Sequence, residues 1–233
     1  TYGALAPFTG LTVDALVDPT LITLRAVTAE WQAMFVTANG TVPWRVVLNS
    51  AQQVPAQGAA APSRLAAWLN ALPAEPARAR MTIRASNLTP ALLKDIVPGQ
   101  RLRDIEAIAT ATVAAEADRL SLEGVQAAAV LDPASITLAG VPFTQSVPTR
   151  LRLENGRARV DAFQWTAEGN SIIATGGADL TSARPSIDLG LAGALDLRVL
   201  SAFVEGIASG GAARANLRIT GPLDKPDIVG EIG

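Results

Sequence analysis

Apolar and polar residues alternate along most of the chain. In the run 78–86, arginine and threonine side chains alternate with an apolar set, Ala79, Met81, Ile83 and Ala85. A period of two places successive side chains on opposite faces of an extended strand, so that one face is apolar and the other faces water. The pattern therefore predicts a mainly β protein with an antiparallel sheet whose two faces differ in polarity. Apolar or alternating runs predict further strands at residues 21–27, 30–36, 44–48, 186–191 and 213–220.

A hairpin at residues 150–161 is the clearest local unit. Its centre is Asn155-Gly156, the pair that two-residue type I′ turns prefer. Beyond residue 162 the alternation slips, so that Phe163 and Trp165 reach the polar face unless a β-bulge intervenes. The turn predicts the register of the two strands, which pairs Glu154 with Arg157, Leu153 with Ala158, Arg152 with Arg159, Leu151 with Val160 and Arg150 with Asp161.

Three segments break the alternation and predict short helices: 62–72, 88–97 and 195–204. The last two are related at an offset of 107 residues (195 minus 88). We interpret this as an internal repeat, with units at 78–186 and 187–233, the second truncated, inside one continuous segment. The matching residues are Leu88, Leu93, Ile96, Val97 and Gly99 in the first unit and Leu195, Leu200, Phe203, Val204 and Gly206 in the second.

Composition narrows the function classes. Of the 233 residues, 49% are hydrophobic, and the chain contains neither cysteine nor histidine. A disulfide framework, a thiolate nucleophile, the commonest general base and the commonest metal ligand are therefore missing. The net charge is −2 and no dense basic run occurs, which argues against a nucleic-acid surface. We expect a protein that is not an enzyme and uses no cofactor or metal.

The ends of the chain and its apolar runs bear on membrane insertion. The longest apolar run is far shorter than the roughly 18 residues that a membrane-spanning helix needs. The first residue is Thr1 rather than Met, and no signal peptide is present. We interpret the chain as a segment of a longer polypeptide that does not itself cross a membrane.

The apolar face of the predicted sheet must be covered, and two architectures do so. A β-sandwich covers it with large side chains from a second sheet. Here aromatic residues make up only 4% of the chain, and many alanines are interspersed with leucine and isoleucine. A sheet that curls over an acyl chain suits this composition as well as a sandwich does.

The C-terminal part of the chain carries a family resemblance. Residues 211–232 alternate from Gly211 to Gly221-Pro222, turn at Pro226 and end with the pattern Ile228-x-Gly230-x-Ile232. Together with the run 187–206, this resembles the repeats of the TamB family within the AsmA-like superfamily. Residues 135–180 resemble the same family through their Asn-Gly hairpin and the glycine-bounded run 169–176.

The resemblance implies a fold and a role. It implies an elongated, curled antiparallel sheet, often called a β-taco, with a few short helices. It further implies a periplasmic segment of an inner-membrane-anchored cell-envelope protein, in which a groove carries phospholipid acyl chains towards the outer membrane and supports outer-membrane protein assembly. An outer-membrane Omp85-type barrel would be met by parts outside this chain. A dozen strands would give a trough roughly 55 Å long.

The expected lining of this groove is the apolar set that shares one sheet face. We expect lipid to contact ten residues: Met81, Ile83, Leu151, Leu153, Val160, Ile187, Leu189, Leu191, Leu217 and Ile219. The alternative function is a structural module that docks outer-membrane β-barrel proteins by edge pairing and conducts no lipid.

Overall fold

The computed structural model describes residues 9–31, 33–44, 46–47, 78–89, 105–138, 140–196 and 211–233. Within these residues, twelve β-strands form one antiparallel sheet, and their spatial order is their order in sequence. The strands are β1 (Thr9–Val17), β2 (Leu21–Trp31), β3 (Met34–Pro43), β4 (Ala79–Leu88), β5 (Ile105–Ala117), β6 (Val125–Leu138), β7 (Val141–Glu154), β8 (Arg157–Ala167), β9 (Asn170–Asp179), β10 (Ser186–Asp196), β11 (Ala212–Pro222) and β12 (Asp227–Ile232).

The sheet is curled and open. Strands β1 and β12 lie at its two edges and do not pair with each other, so the twelve described strands form an open sheet. Because each strand runs opposite to the one before it, the connections alternate between two ends of the sheet. We call the end with the Asn155-Gly156 turn the near end and the opposite end the far end.

The prediction of a mainly β, curled antiparallel sheet is confirmed, and the sandwich alternative is wrong because all described strands belong to one sheet.

The predicted hairpin is confirmed over its first four pairs. Asn155 and Gly156 have φ values of 49° and 70°, as a type I′ turn requires. Glu154 pairs with Arg157 and Leu151 with Val160, but Arg150 pairs with Ala162 instead of Asp161. Asp161 is therefore the extra residue of a bulge. The bulge returns the strand to the expected parity, so that Trp165 lies buried on the apolar face.

Two predicted strands near the N-terminus are wrong. The run 30–36 spans a turn, because β2 ends at Trp31 and β3 begins at Met34. The run 44–48 was expected to be extended, yet Trp44, Val46 and Val47 are helical. Pro43 already pairs with Leu21, the first residue of β2. A longer β3 would therefore find no partner on that side, and the chain turns instead.

The predicted helices fall mostly outside the described residues. The segment 62–72 lies entirely outside them. Leu88 and Leu195, the first residues of the other two predicted helices, are strand residues of β4 and β10, so the helix prediction is wrong at these two positions. The remainder of 88–97 beyond Thr89 and of 195–204 beyond Asp196 lies outside the described part of the chain.

The proposed repeat has a counterpart in strand positions. Strands β4 and β10 begin at residues 79 and 186, and β5 and β11 begin at residues 105 and 212. Both differences equal 107 (186 minus 79 and 212 minus 105).

No helix in the described residues has the length and apolar character needed to cross a membrane.

Candidate functional site

One row of residues crosses all twelve strands. Directly paired residues in neighbouring strands point to the same face of a sheet, so the register can be followed from β1 to β12. We call this the central row, and it contains only aliphatic residues and one glycine: Val13, Val27, Ala38, Ile83, Val113, Ala129, Leu151, Val160, Gly176, Leu189, Ile219 and Ile228.

A second row runs beside the central row on its near-end side. It is also apolar and extends from β1 to β11: Ala15, Leu24, Gly40, Met81, Ala115, Ala127, Leu153, Ala158, Ala178, Ile187 and Gly221. On the far-end side, Leu191 pairs with Leu217. All ten residues predicted from the sequence therefore lie on one face, which we call the apolar face.

The opposite face is polar and carries ion pairs. Arg80 contacts Glu116 at 3.0 Å and Arg218 contacts Asp188 at 2.9 Å. The guanidinium of Arg218 donates hydrogen bonds to both Asp188 carboxylate oxygens and lowers the pKa of that carboxyl group. All these side chains are largely exposed, so each pair contributes little to stability. Arg152 lies opposite Arg159 in the β7–β8 register. Its guanidinium forms an ion pair with Asp161.

The apolar face is the more enclosed of the two. Alanines on this face, such as Ala38 and Ala174, are buried, whereas Ala114, Ala128 and Ala192 on the polar face are exposed. Because the side chain is the same on both faces, the difference reports the surroundings. The larger apolar side chains are nevertheless not sealed: most of the ten are half-buried, and Leu151 is 37% exposed.

Two parts of the apolar face are sealed. At the near end, Val46 is fully buried against Ala79 and Ala117. At the far end, Phe143 is fully buried and packs with Leu138 and Trp165. Between these clusters the apolar rows remain accessible. The site is therefore a continuous strip of aliphatic side chains, most of them half-buried in the inner strands, and exposed at the two edge strands, as at Val13 and Ile228.

The chemistry of this strip is that of an apolar binding surface. None of the residues in the central row or its neighbour is ionisable, so the strip offers no acid, base or metal ligand. In the described part of the chain, no group of three or more carboxylates is arranged to hold a metal ion. The physical interaction that this surface can make is the burial of hydrocarbon, worth roughly 0.8 kcal/mol per CH₂ group.

A cavity on the polar face was missed by the sequence analysis. It has a volume of about 630 Å³ and crosses β3 to β7. Arg80, Glu116, Arg152 and Glu154 line it, so its positive and negative charges balance. Sequence alone gives no signal for it, because it exists only once five strands are paired.

No protein-family model, curated protein or solved structure matches the chain. The apolar face and the sequence resemblance are therefore the two indications of function that this chain offers.

Proposed function

We propose that this chain is a non-enzymatic segment of a TamB/AsmA-like periplasmic bridge. Its apolar face shields phospholipid acyl chains between the inner and outer membranes and thereby supports outer-membrane biogenesis. The parent protein is anchored in the inner membrane, and parts outside this chain engage an Omp85-type barrel.

The observation that carries this proposal is the unbroken central row. It crosses twelve strands without a polar side chain, and eleven strand spacings of about 4.8 Å extend it over about 53 Å. Moving an acyl chain from such a surface into water raises its free energy by about 0.8 kcal/mol per exposed CH₂. A continuous row removes that penalty at each step along the sheet.

The accessibility of the row supports a ligand of this kind. In a sealed core, Leu151 and its neighbours would be buried by protein, yet they retain substantial exposure. A hydrocarbon chain lying on the row would cover them. The ion pairs of the polar face keep the opposite side of the sheet hydrated.

The test places a charge on the strip and measures lipid contact. A photo-reactive residue at position 151 should label phospholipid when the purified chain is mixed with phosphatidylethanolamine and phosphatidylglycerol vesicles. Leu153→Arg, two residues away on the same face, should abolish most of this labelling. Because Leu153 is half-buried, the guanidinium can reach water, and we expect destabilisation of only about 1 to 2 kcal/mol.

Arg152→Leu is the matched control, because residue 152 points to the polar face. It removes one exposed ion pair and should leave both labelling and folding unchanged. Absence of labelling at position 151 in the folded chain, or equal labelling in Leu153→Arg, would contradict the proposal. Unfolding of Leu153→Arg would instead indicate a sealed face, since burying an unpaired charge is far more destabilising.

A second candidate function is favoured by the sheet edges. The outer sides of β1 and β12 pair with no other described strand, and every residue of β1 is exposed. Such edges can accept an added strand. A folded chain that gives no lipid labelling would favour this docking role for outer-membrane β-barrel proteins.

A further inference from the structure

A line of bulges crosses the sheet at one level. The paired residues Ala85, Ala111, Leu131 and Thr149 form a short row across β4 to β7. At this row or on its far-end side, the register shifts in each strand pair from β4–β5 to β8–β9. A bulge bends its strand, so five consecutive shifts bend the sheet along a line. We call this line the crease.

The crease separates two environments on the apolar face. Beyond it, at the far end of β6 to β9, Phe143 is fully buried and Leu138 and Trp165 are 4% and 6% exposed. We call this cluster the sealed rim. On the other side of the crease, Leu151 remains 37% exposed. In β6 to β8, the apolar face is thus closed on the far-end side of the crease and accessible at Leu151 on the other side.

One buried hydroxyl group joins the strands at the crease. Thr149 is 3% exposed, and its Oγ1 accepts hydrogen bonds from Trp165 Nε1 at 3.0 Å and from Gln145 Nε2 at 2.8 Å. Gln145 Nε2 also donates to the carbonyl oxygen of Leu131 at 3.0 Å. These bonds connect β6, β7 and β8. Because buried polar groups are costly to leave unpaired, they hold the Trp165 ring in place against Phe143.

We infer that the sealed rim is a constriction in the lipid path and that Thr149 is the positioning residue that keeps it closed. This inference rests on the proposed function. In the closed state an acyl chain lies on the central row and its near-end neighbour and is kept away from the far-end part of β6 to β9. Release of Trp165 from Thr149 opens the rim, and the apolar surface there widens to include Phe143 and Ile172.

The test compares lipid contact on the two sides of the crease. Photo-reactive residues are placed singly at position 151, on the accessible side, and at position 172, in the rim beside Trp165. With phospholipid vesicles, position 151 should be labelled and position 172 labelled weakly. Thr149→Val keeps the shape of the side chain and removes the acceptor. Loss of its two hydrogen bonds should raise labelling at position 172 by about tenfold and leave position 151 unchanged.

Two further variants isolate the role of the hydroxyl group. Thr149→Ser retains the acceptor and should restore weak labelling at position 172. Thr144→Val removes a hydroxyl on the polar face of the same strand, where it donates to the Thr166 carbonyl oxygen at 3.5 Å, and should change neither position. If Thr149→Val does not fold, Trp165→Phe removes the indole donor while keeping an aromatic ring and should open the rim in the same way.

The outcomes separate the constriction from the proposed function. Strong labelling at both positions in the unchanged chain would overturn the constriction and leave the lipid proposal intact. Unchanged weak labelling at position 172 in folded Thr149→Val or Trp165→Phe would also overturn it. Absence of labelling at position 151 would overturn the proposed function itself.

Discussion

At the residue scale, two aspartates stabilise near-end turns by the same local device. Asp18 Oδ1 accepts hydrogen bonds from the backbone N and the hydroxyl of Thr20, both at 2.7 Å. Asp179 Oδ1 accepts the same pair of bonds from Thr181 at 3.0 Å. These bonds favour the ionised carboxylate, and they lower the pKa of both groups below the ordinary aspartate value. The short motif Asp-x-Thr thus fixes the ends of β1 and β9.

The lowered pKa values predict acid sensitivity. A carboxyl group whose pKa is depressed by folding contributes stability above its unfolded pKa and loses it as the pH falls through the folded value. We therefore expect the urea midpoint of unfolding to fall as the pH drops below about 4. Asp179→Asn should reduce this dependence, because the amide side chain carries no charge that changes with pH. An unchanged pH profile in Asp179→Asn would contradict the assignment.

At the scale of elements, two turn glycines share a backbone conformation and differ in surroundings. Gly156 and Gly169 have φ values of +70° and +68°, in the left-handed region that side chains with a Cβ disfavour. A Cβ at Gly169 would meet no atom within 4 Å, whereas a Cβ at Gly156 would collide with Thr181 Cγ2. The Thr181 side chain is held by its hydrogen bond to Asp179.

This difference predicts that alanine destabilises the protein more at position 156 than at position 169. Gly169→Ala should lower the free energy of unfolding by about 1 to 2 kcal/mol, from backbone strain alone. Gly156→Ala should lower it further, because Thr181 must also move. Urea unfolding of the two variants measures both values. Equal destabilisation would mean that Thr181 rotates away without loss of its bond to Asp179.

The elements that the sequence predicted well are those with strict alternation. The strands around Met81 and Ile187 and the hairpin at Asn155-Gly156 follow from period and turn chemistry alone. The shared face of the ten candidate residues follows from the same alternation once the register links the strands. Contact of that face with lipid remains a prediction.

Other features depend on contacts that alternation does not encode. The slip in alternation at Phe163 and Trp165 indicates a bulge in β8, but its position at Asp161 depends on the pairing with β7, because no local glycine or proline marks it. The helical residues around Val46 arise because β3 runs out of a partner. The crease is marked in the sequence by residue types: Pro133 and Pro148 lie within strands, where proline is confined to edges and bulges. Asn87, whose φ is 59°, is of a type that enters the left-handed region more readily than most residues.

At the scale of the whole molecule, the contacts between strands follow the order of the chain. Each strand packs mainly on the strands before and after it in the chain. Stability in such an arrangement is close to a sum of neighbour interactions. The largest fully buried side chains of the described residues, Phe143 and Val46, lie towards the middle strands rather than at the edges.

Protection from hydrogen exchange should be highest in the middle strands and lowest at the two edges of the sheet. We expect amides of β6 to β8, around Phe143 and Trp165, to exchange most slowly, and those of β1 and β12 to exchange first, because edge strands open locally at little cost. Exchange monitored by mass spectrometry of peptic peptides measures this directly. Uniform protection across all twelve strands would indicate a single cooperative unit instead.

The order of the strands also determines how the molecule bears force. Because β1 and β12 occupy opposite edges of the sheet, tension applied between them acts across the strands, along the direction of the hydrogen bonds that join every strand pair. Hydrogen bonds under such a load break in succession, like a zipper, rather than together in shear. The sheet is therefore mechanically compliant along the direction in which its apolar row is continuous, and a pull between its edges would lengthen it by peeling strands from the ends inwards.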